Sequence, residues 1–284
     1  MKLCIIIPAH NEENFIIDCL KSLTKQSRTP DTIIVVDDHS TDNTYQLVHE
    51  FSKKNTLVKV IKHQSSPHHA PGSKVVNAFN FGKEQQSETY DIYCKFDADL
   101  EFPENYIELM LKTYQEFPEV GMCGGVCSIL RNGEWVEEKL SNSDHLRGPI
   151  KSYRKDCLND IGGLKSSMGW DSLDELMARY HGWAVHIDPC LEVKHKRPTQ
   201  NKYQKKIGIL QAEVFYKLGY TPLLLFIAAF KIGVLKGNTA VTISCIQKFF
   251  ELKKNKHPKL VNDDEAAFIR RYRWQGIKHK ILKL

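Results

Sequence analysis

Along the first hundred residues, short runs of β-branched and aliphatic residues alternate with longer stretches whose apolar positions recur at helical spacing. The runs at 3–8, 32–37, 57–62 and 91–97 predict strands, and the stretches at 12–25, 42–54 and 73–85 predict helices. That strand and helix alternation predicts an α/β fold, a mostly parallel sheet flanked by helices. Ligands of such sheets bind beyond the carboxyl ends of the strands. The residues directly after Ile7, Val36 and Phe96 are therefore the first place to look for chemistry.

Beyond residue 100 the pattern loosens. A helix is predicted from Pro103, a strand at 120–130, a helix at 172–181, and two short strands at 183–187 and 191–195. After Pro198 only helical spacing remains, at 201–219, 222–236, 240–254 and 263–282. The expected organisation is a catalytic α/β domain at 1–198, in halves 1–99 and 100–198, followed by a helical region at 199–284. The most apolar stretch, 222–235, is interrupted by Lys231 and falls short of the roughly 20 residues a membrane-spanning helix needs.

Charge sharpens this division. Residues 1–190 hold 20 Lys/Arg against 28 Asp/Glu, whereas 191–284 hold 20 against 6. The tail, with Lys202, Lys205 and Lys206 before the apolar stretch and Lys236, Lys248, Lys253, Lys254 and Lys256 after it, suits an anionic membrane surface, or else a solvated face on a helical cap. No nucleic-acid-binding module accompanies it, so nucleic acid is not an expected partner. The eight cysteines form no CxxC pair and read as reduced core thiols. With no apolar leader before the first strand, the expected location is the cytoplasm, peripherally at the inner face of the cell membrane.

Asp97 and Asp99 close the fourth strand, and side chains two apart in extended chain point the same way. Two such carboxylates suit a hard divalent cation, Mg²⁺ or Mn²⁺; taken alone, they would equally make a solvated acidic turn. Pro8, Ala9, His10, Asn11 and Glu12 end the first strand, and Asp37, Asp38, His39 and Ser40 the second. Asn11 and Ser40 are also candidate helix caps. His195 lies in a basic run with Lys196 and Arg197. Asp171, with Asp174 three residues on, has the pattern of a helix N-cap with an acidic third position.

Four segments, Ile6 to Glu13, Val35 to Thr44, Gly72-Ser73-Lys74, and Phe96-Asp97-Ala98-Asp99, resemble glycosyltransferase family 2 in kind and order. The resemblance implies the GT-A fold and a nucleotide-diphosphate-sugar donor. It implies that Pro8, Ala9, His10, Glu12, Asp38, Lys74 and Asp97 bind the donor nucleotide, and that Asp99, Asp97 and His195 hold the metal. Asp171 would be the base, on the partial match of Trp170-Asp171 to the family's Glu-Asp motif, with Asp174 as alternative and Trp170 and Asp174 on the acceptor side. The segment from Arg147 to Gly163 resembles the family's acceptor-side region, and His68 and His69 would border the diphosphate or solvate their loop.

An inverting transfer to a glycan or lipid-linked acceptor in cell-envelope or exopolysaccharide synthesis is the implied function. Arg273-Trp274 lies too late and lacks the upstream Gln of the family's processive polymerases. A sugar-phosphate nucleotidyltransferase would carry a Gly-rich basic loop where this chain has His10 to Glu13; a non-catalytic nucleotide-sugar or membrane-binding module is the other alternative.

Overall fold

The computed structural model describes residues 1–65, 72–138, 144–197 and 207–282. The chain forms two compact units, residues 1–199 and 200–284.

In the first unit, β1 (Leu3–Ala9), β2 (Thr32–Asp38), β3 (Val58–His63) and β4 (Ile92–Phe96) run parallel, in the order β3-β2-β1-β4. β1 and β2 are buried almost throughout because helices cover both faces, which is why they read as continuous apolar runs rather than alternating ones. The helices α1 (Ile16–Thr24), α2 (Thr44–Lys54) and α3 (Ser73–Glu84) make the crossovers. The chain steps from β1 to one side for β2 and to the other for β4, leaving a crevice at the carboxyl ends of those strands.

The second half is mixed rather than parallel. β5 (Leu100–Glu101), α4 (Tyr106–Glu116), β6 (Val120–Arg131), β7 (Glu134–Glu137), β8 (Ile150–Arg154), α5 (Lys155–Asp160), α6 (Trp170–Tyr180) and β9 (Ala184–His195) follow in turn. β8 lies antiparallel between β4 and β6, β9 runs parallel to β6, and β5 pairs antiparallel with the end of β9. The two short strands expected at 183–187 and 191–195 are one strand, whose pairing to β6 shifts register between Gly124 and Val126. The core joins Ile5, Ile7, Ile33, Val35, Cys94, Phe96, Phe102 and Tyr106. Seven of the cysteines are buried free thiols; burial pushes Cys4 up to about 12, so it packs as a small hydrophobe.

The second unit is helical over its described residues: α7 (Ile207–Lys217), α8 (Pro222–Lys236), α9 (Thr239–Lys254) and α10 (Asp263–Ile281). Thr221, Asn238 and Asn262 cap α8, α9 and α10, the last with a capping box closed by Glu265. Ala212, Phe215, Tyr216, Leu225, Ala229, Cys245 and Phe249 form its core. Lys202, Lys205 and Lys206 lie outside the described residues.

Candidate active site

The turns after β1 and β2 are stapled to each other. The Asn11 and Glu12 amides donate to Ser40 Oγ at 3.0 Å and Thr44 Oγ1 at 2.7 Å, and the Thr41 amide donates to Asn11 Oδ1 at 2.8 Å. Neither Asn11 nor Ser40 caps a helix, since α1 and α2 start after Phe15 and Asn43. The capping expectation fails because these side chains satisfy the opposite turn. Asn11 and His39 take left-handed backbone conformations, φ 56° and 58°, which this tight double turn requires.

Beside the staple, a cavity of about 300 Å³ is lined by Pro8, Ala9, His10, Glu12, Asp38, Lys74, Asp97, Asp99 and Arg197, with Val75, Ala78 and Ala98 as its apolar wall. Every residue assigned to the donor nucleotide from sequence faces this one space, Lys74 included. His10 is oriented by Nδ1, 2.7 Å from the Asp38 carbonyl oxygen. Gly72, at φ 75°, lets the start of α3 pass so close that a Cβ there would meet the Ser167 carbonyl oxygen at 2.8 Å. His68 and His69 lie outside the described residues.

Asp38 is nearly buried and accepts from Ser65 Oγ at 2.8 Å and from the Ser65 amide at 3.2 Å, with His63 Nδ1 also at 3.2 Å. Burial opposes its ionisation, but the Ser65 hydrogen bonds and the neighbouring His63 and Lys74 charges outweigh that and hold its carboxyl below the ordinary range. A depressed folded value means that its contribution to stability is complete above about pH 4 and is lost as pH falls through the lower folded value. Asp38→Asn should therefore be destabilised near neutrality, and the gap to the parent should close on acidification. Urea unfolding across that range measures it, and a gap independent of pH would contradict the assignment.

Asp99 is buried at the end of a contact that only the paired chain provides. β5 against β9 sets Leu100 opposite His195, and the Lys196 amide donates to the Asp99 carbonyl at 2.9 Å. His195 Nε2 thereby stands 3.5 Å from Asp99 Oδ1, while Nδ1 is 3.4 Å from Glu138 Oε2. Burial opposes protonation of His195, but Asp99, Asp97 and Glu138 raise it above its ordinary value. Arg197 Nε holds Asp99 Oδ2 at 3.0 Å and its other arm pairs with Glu12. Burial nonetheless pushes the Glu12 carboxyl up to about 7. Glu12 Oε2 has no hydrogen-bond partner among the described residues.

These donors fit a hard divalent cation that takes part of its coordination from the protein and the rest from diphosphate and water. Asp99 and His195 stand side by side, and a carboxylate backs the second ring nitrogen of His195, as metal-bound imidazoles commonly require. Among the described residues there is no self-sufficient cluster of three or more metal-binding side chains. Asp97, the other sequence candidate, is paired with Lys95.

Asp171 lies in the first turn of α6, after the N-cap residue Gly169 and Trp170. The N-cap reading of Asp171 is therefore corrected: Gly169 holds that position. The carboxylate is partly exposed, with Oδ2 3.8 Å from His145 Nε2, and a Cβ on Gly148 would come within 3.6 Å of it. Asp174 is placed differently from the acceptor-side expectation. It is buried, accepts from Lys151 Nζ at 2.8 and 3.0 Å and from the Tyr153 hydroxyl at 2.6 Å, and so faces the interior. Trp170 is also largely buried, its ring lying 5.3 Å from Lys95 Nζ and 5.6 Å from Lys151 Nζ.

The sequence matches the family model described as glycosyl transferase family 2 over residues 4–162. The chain belongs to that family. It is 37% identical over 100 residues to the probable glycosyltransferase YdaM of Bacillus subtilis (strain 168), covering 34% of this chain and 23% of YdaM. It is 26% identical over 184 residues to the poly-beta-1,6-N-acetyl-D-glucosamine synthase of Staphylococcus epidermidis, covering 58% and 42% respectively. The chain thus spans less than half the length of either relative. Among solved structures it resembles S. aureus TarS 1-349 in complex with UDP-GlcNAc, with TM-score 0.59 at 19% identity over 88% of this chain and 73% of that one. It also resembles the mannosyltransferase PcManGT from Pyrobaculum calidifontis in complex with GDP-Man and Mn²⁺, with TM-score 0.58 at 17% identity over 76% and 62%. The fold is the GT-A fold of glycosyltransferases.

Within this family member, sequence reading passed over Arg197, His145 and Lys151. Arg197 carried a usable signal, since it follows His195 by two residues and extended chain repeats its facing at that interval. Lys151 and His145 carried none, because their partners lie on α6, more than twenty residues away.

Proposed function

We propose that this protein is an inverting glycosyltransferase that moves a sugar from a nucleotide-diphosphate donor to a hydroxyl of a glycan or lipid-linked acceptor in cell-envelope or exopolysaccharide synthesis. The observation that carries the reading is the single cavity shared by Pro8, Ala9, His10, Glu12, Asp38, Lys74, Asp97 and Asp99. It offers apolar wall for a base, carboxylates for ribose hydroxyls, and a lysine for phosphate, at the sheet edge where such folds bind nucleotides. The named relatives and neighbours, which include transferases of N-acetylglucosamine and mannose, support the substrate class.

Asp99 and His195, with Asp97 nearby, would hold Mg²⁺ or Mn²⁺, which when bound offsets the charge that grows on the leaving diphosphate. Asp171 takes the proton of the acceptor hydroxyl while that oxygen bonds to the anomeric carbon. The bond from that carbon to the diphosphate oxygen breaks with its electron pair, so one displacement inverts the centre. Trp170 packs behind the base, and the basic helical unit belongs at an anionic membrane surface from which the acceptor is presented.

Asp171→Asn keeps the size of the side chain and its helical position. It should bind UDP or GDP as the parent does and lose transfer by roughly 10²–10⁴-fold. Calorimetric nucleotide titration and mass-spectrometric screening of nucleotide sugars against lipid and glycan acceptors test this. Parent-like transfer by the variant would remove Asp171 from the role.

A further inference from the structure

α8 carries apolar residues on nearly every side, interrupted by Lys231, and among the described residues only part of its circumference is buried. Leu224, Leu225, Ala229 and Gly233 are buried. On the opposite side Leu223, Phe226, Phe230 and Val234 are 59, 46, 67 and 64% exposed and recur at helical spacing as one stripe. Phe250 of α9 extends the stripe, its ring 6.4 Å from that of Phe226. A helix that is hydrophobic all round ordinarily has every side covered.

The length of α8 and the charges around it say what covers this face. A helix of 15 residues spans about 22 Å, short of the roughly 30 Å hydrocarbon core, and no described helix is long and apolar enough to cross a membrane. The hairpin from Pro222 to Lys256 carries Lys231, Lys236, Lys248, Lys253, Lys254 and Lys256 against Glu251 alone, a net charge of +5. Pairing with a second copy would bring two such surfaces together, whereas an anionic leaflet attracts the lysines and the apolar stripe together. Lys231, one turn from Ile227 along the edge of the stripe, has the long stem needed to keep its ammonium among headgroups.

We infer that the exposed face of α8 inserts in the plane of an anionic bilayer, with Phe226, Phe230 and Val234 among the acyl chains and the lysines on lipid phosphates. This rests on the membrane part of the proposed function and not on its chemistry, because vesicle binding and nucleotide binding are read separately. The test is co-sedimentation of the full chain with vesicles of phosphatidylcholine and phosphatidylglycerol mixed two to one, and with phosphatidylcholine alone.

The chain should bind the mixed vesicles, and F226S/F230S/V234S should bind at least about tenfold more weakly while keeping its circular dichroism and nucleotide affinity. K253E/K254E/K256E, which leaves the apolar face intact, should lose the preference for the anionic lipid. Parent-like sedimentation of the serine variant would overturn the inference. So would a dimer in light scattering, without vesicles, that the serine variant abolishes, since the stripe would then be covered by a second copy.

Discussion

Replacing Lys151 with methionine is expected to lower the folding stability by about 3–5 kcal/mol, a large share of what a domain of this kind possesses. The ammonium is fully buried and pairs with Asp174 at 2.8 Å and Glu175 at 3.1 Å, both themselves buried. Methionine fills similar space but leaves two carboxylates facing an apolar side chain. Glu175 retains His145 at 2.9 Å and Arg179 at 3.3 Å, so the uncompensated charge falls chiefly on Asp174. Adding Asp174→Asn to the methionine variant should therefore recover part of the loss, because an amide costs less to bury than an unpaired carboxylate. Urea unfolding of the single and double variants measures both effects. Lys151 also donates to the carbonyl oxygen of Asp171, so K151M should perturb the turn that presents the proposed base as well as the core behind it. A variant as stable as the parent would mean that the cluster contributes little.

The second large effect is expected at Asp99. Asp99→Ala should abolish the strengthening of UDP or GDP binding by Mn²⁺ and reduce transfer by roughly 10²–10³-fold, the scale set by loss of one preorganised electrostatic partner of a developing anion. Its effect on the fold should be smaller than that of the Lys151 change. Arg197, left by the variant without Asp99, still pairs with Glu12, and His195 still faces Glu138. Calorimetry of each nucleotide with and without Mn²⁺, beside thermal unfolding of the same samples, separates the two outcomes. Metal-dependent nucleotide binding that survives the substitution would remove Asp99 from the cation site.

The contrast between these residues follows how each side chain is legible in the chain. β1, β2 and β4 were readable because both faces of each are buried, so their runs are nearly continuous in apolar residues, broken only by Lys95 in β4 and by Thr32, Asp37 and Asp38 at the ends of β2. The polar residues that end them stood out against that background, and all of those assigned to the donor nucleotide line one cavity. The four helices of the basic tail were readable for a different reason, since their apolar spacing recurs within each element.

β8 was not readable. Its Lys151, Ser152 and Tyr153 are all buried, yet each is polar or carries a polar end. Lys151 is neutralised by α6, Ser152 Oγ donates to the Cys123 carbonyl at 2.6 Å, and the Tyr153 hydroxyl reaches Asp174. Such partners remove the hydrophobic signature that burial normally writes into a strand. Asp174 and Asp171 likewise look alike in sequence, and only the orientation of α6 sends one inward and leaves the other partly exposed.

What the sequence by itself determined is the parallel half of the sheet, the family and the set of polar residues at its strand ends, because these depend on patterns within single elements. What only the tertiary structure decided is the company those residues keep: His195 and Arg197 beside Asp99, Lys151 beneath the α6 turn, and an apolar face of α8 exposed among the described residues. Those partnerships join positions up to 185 residues apart, as between Glu12 and Arg197. Electrostatic and packing partners across such distances leave no period in the chain to be read.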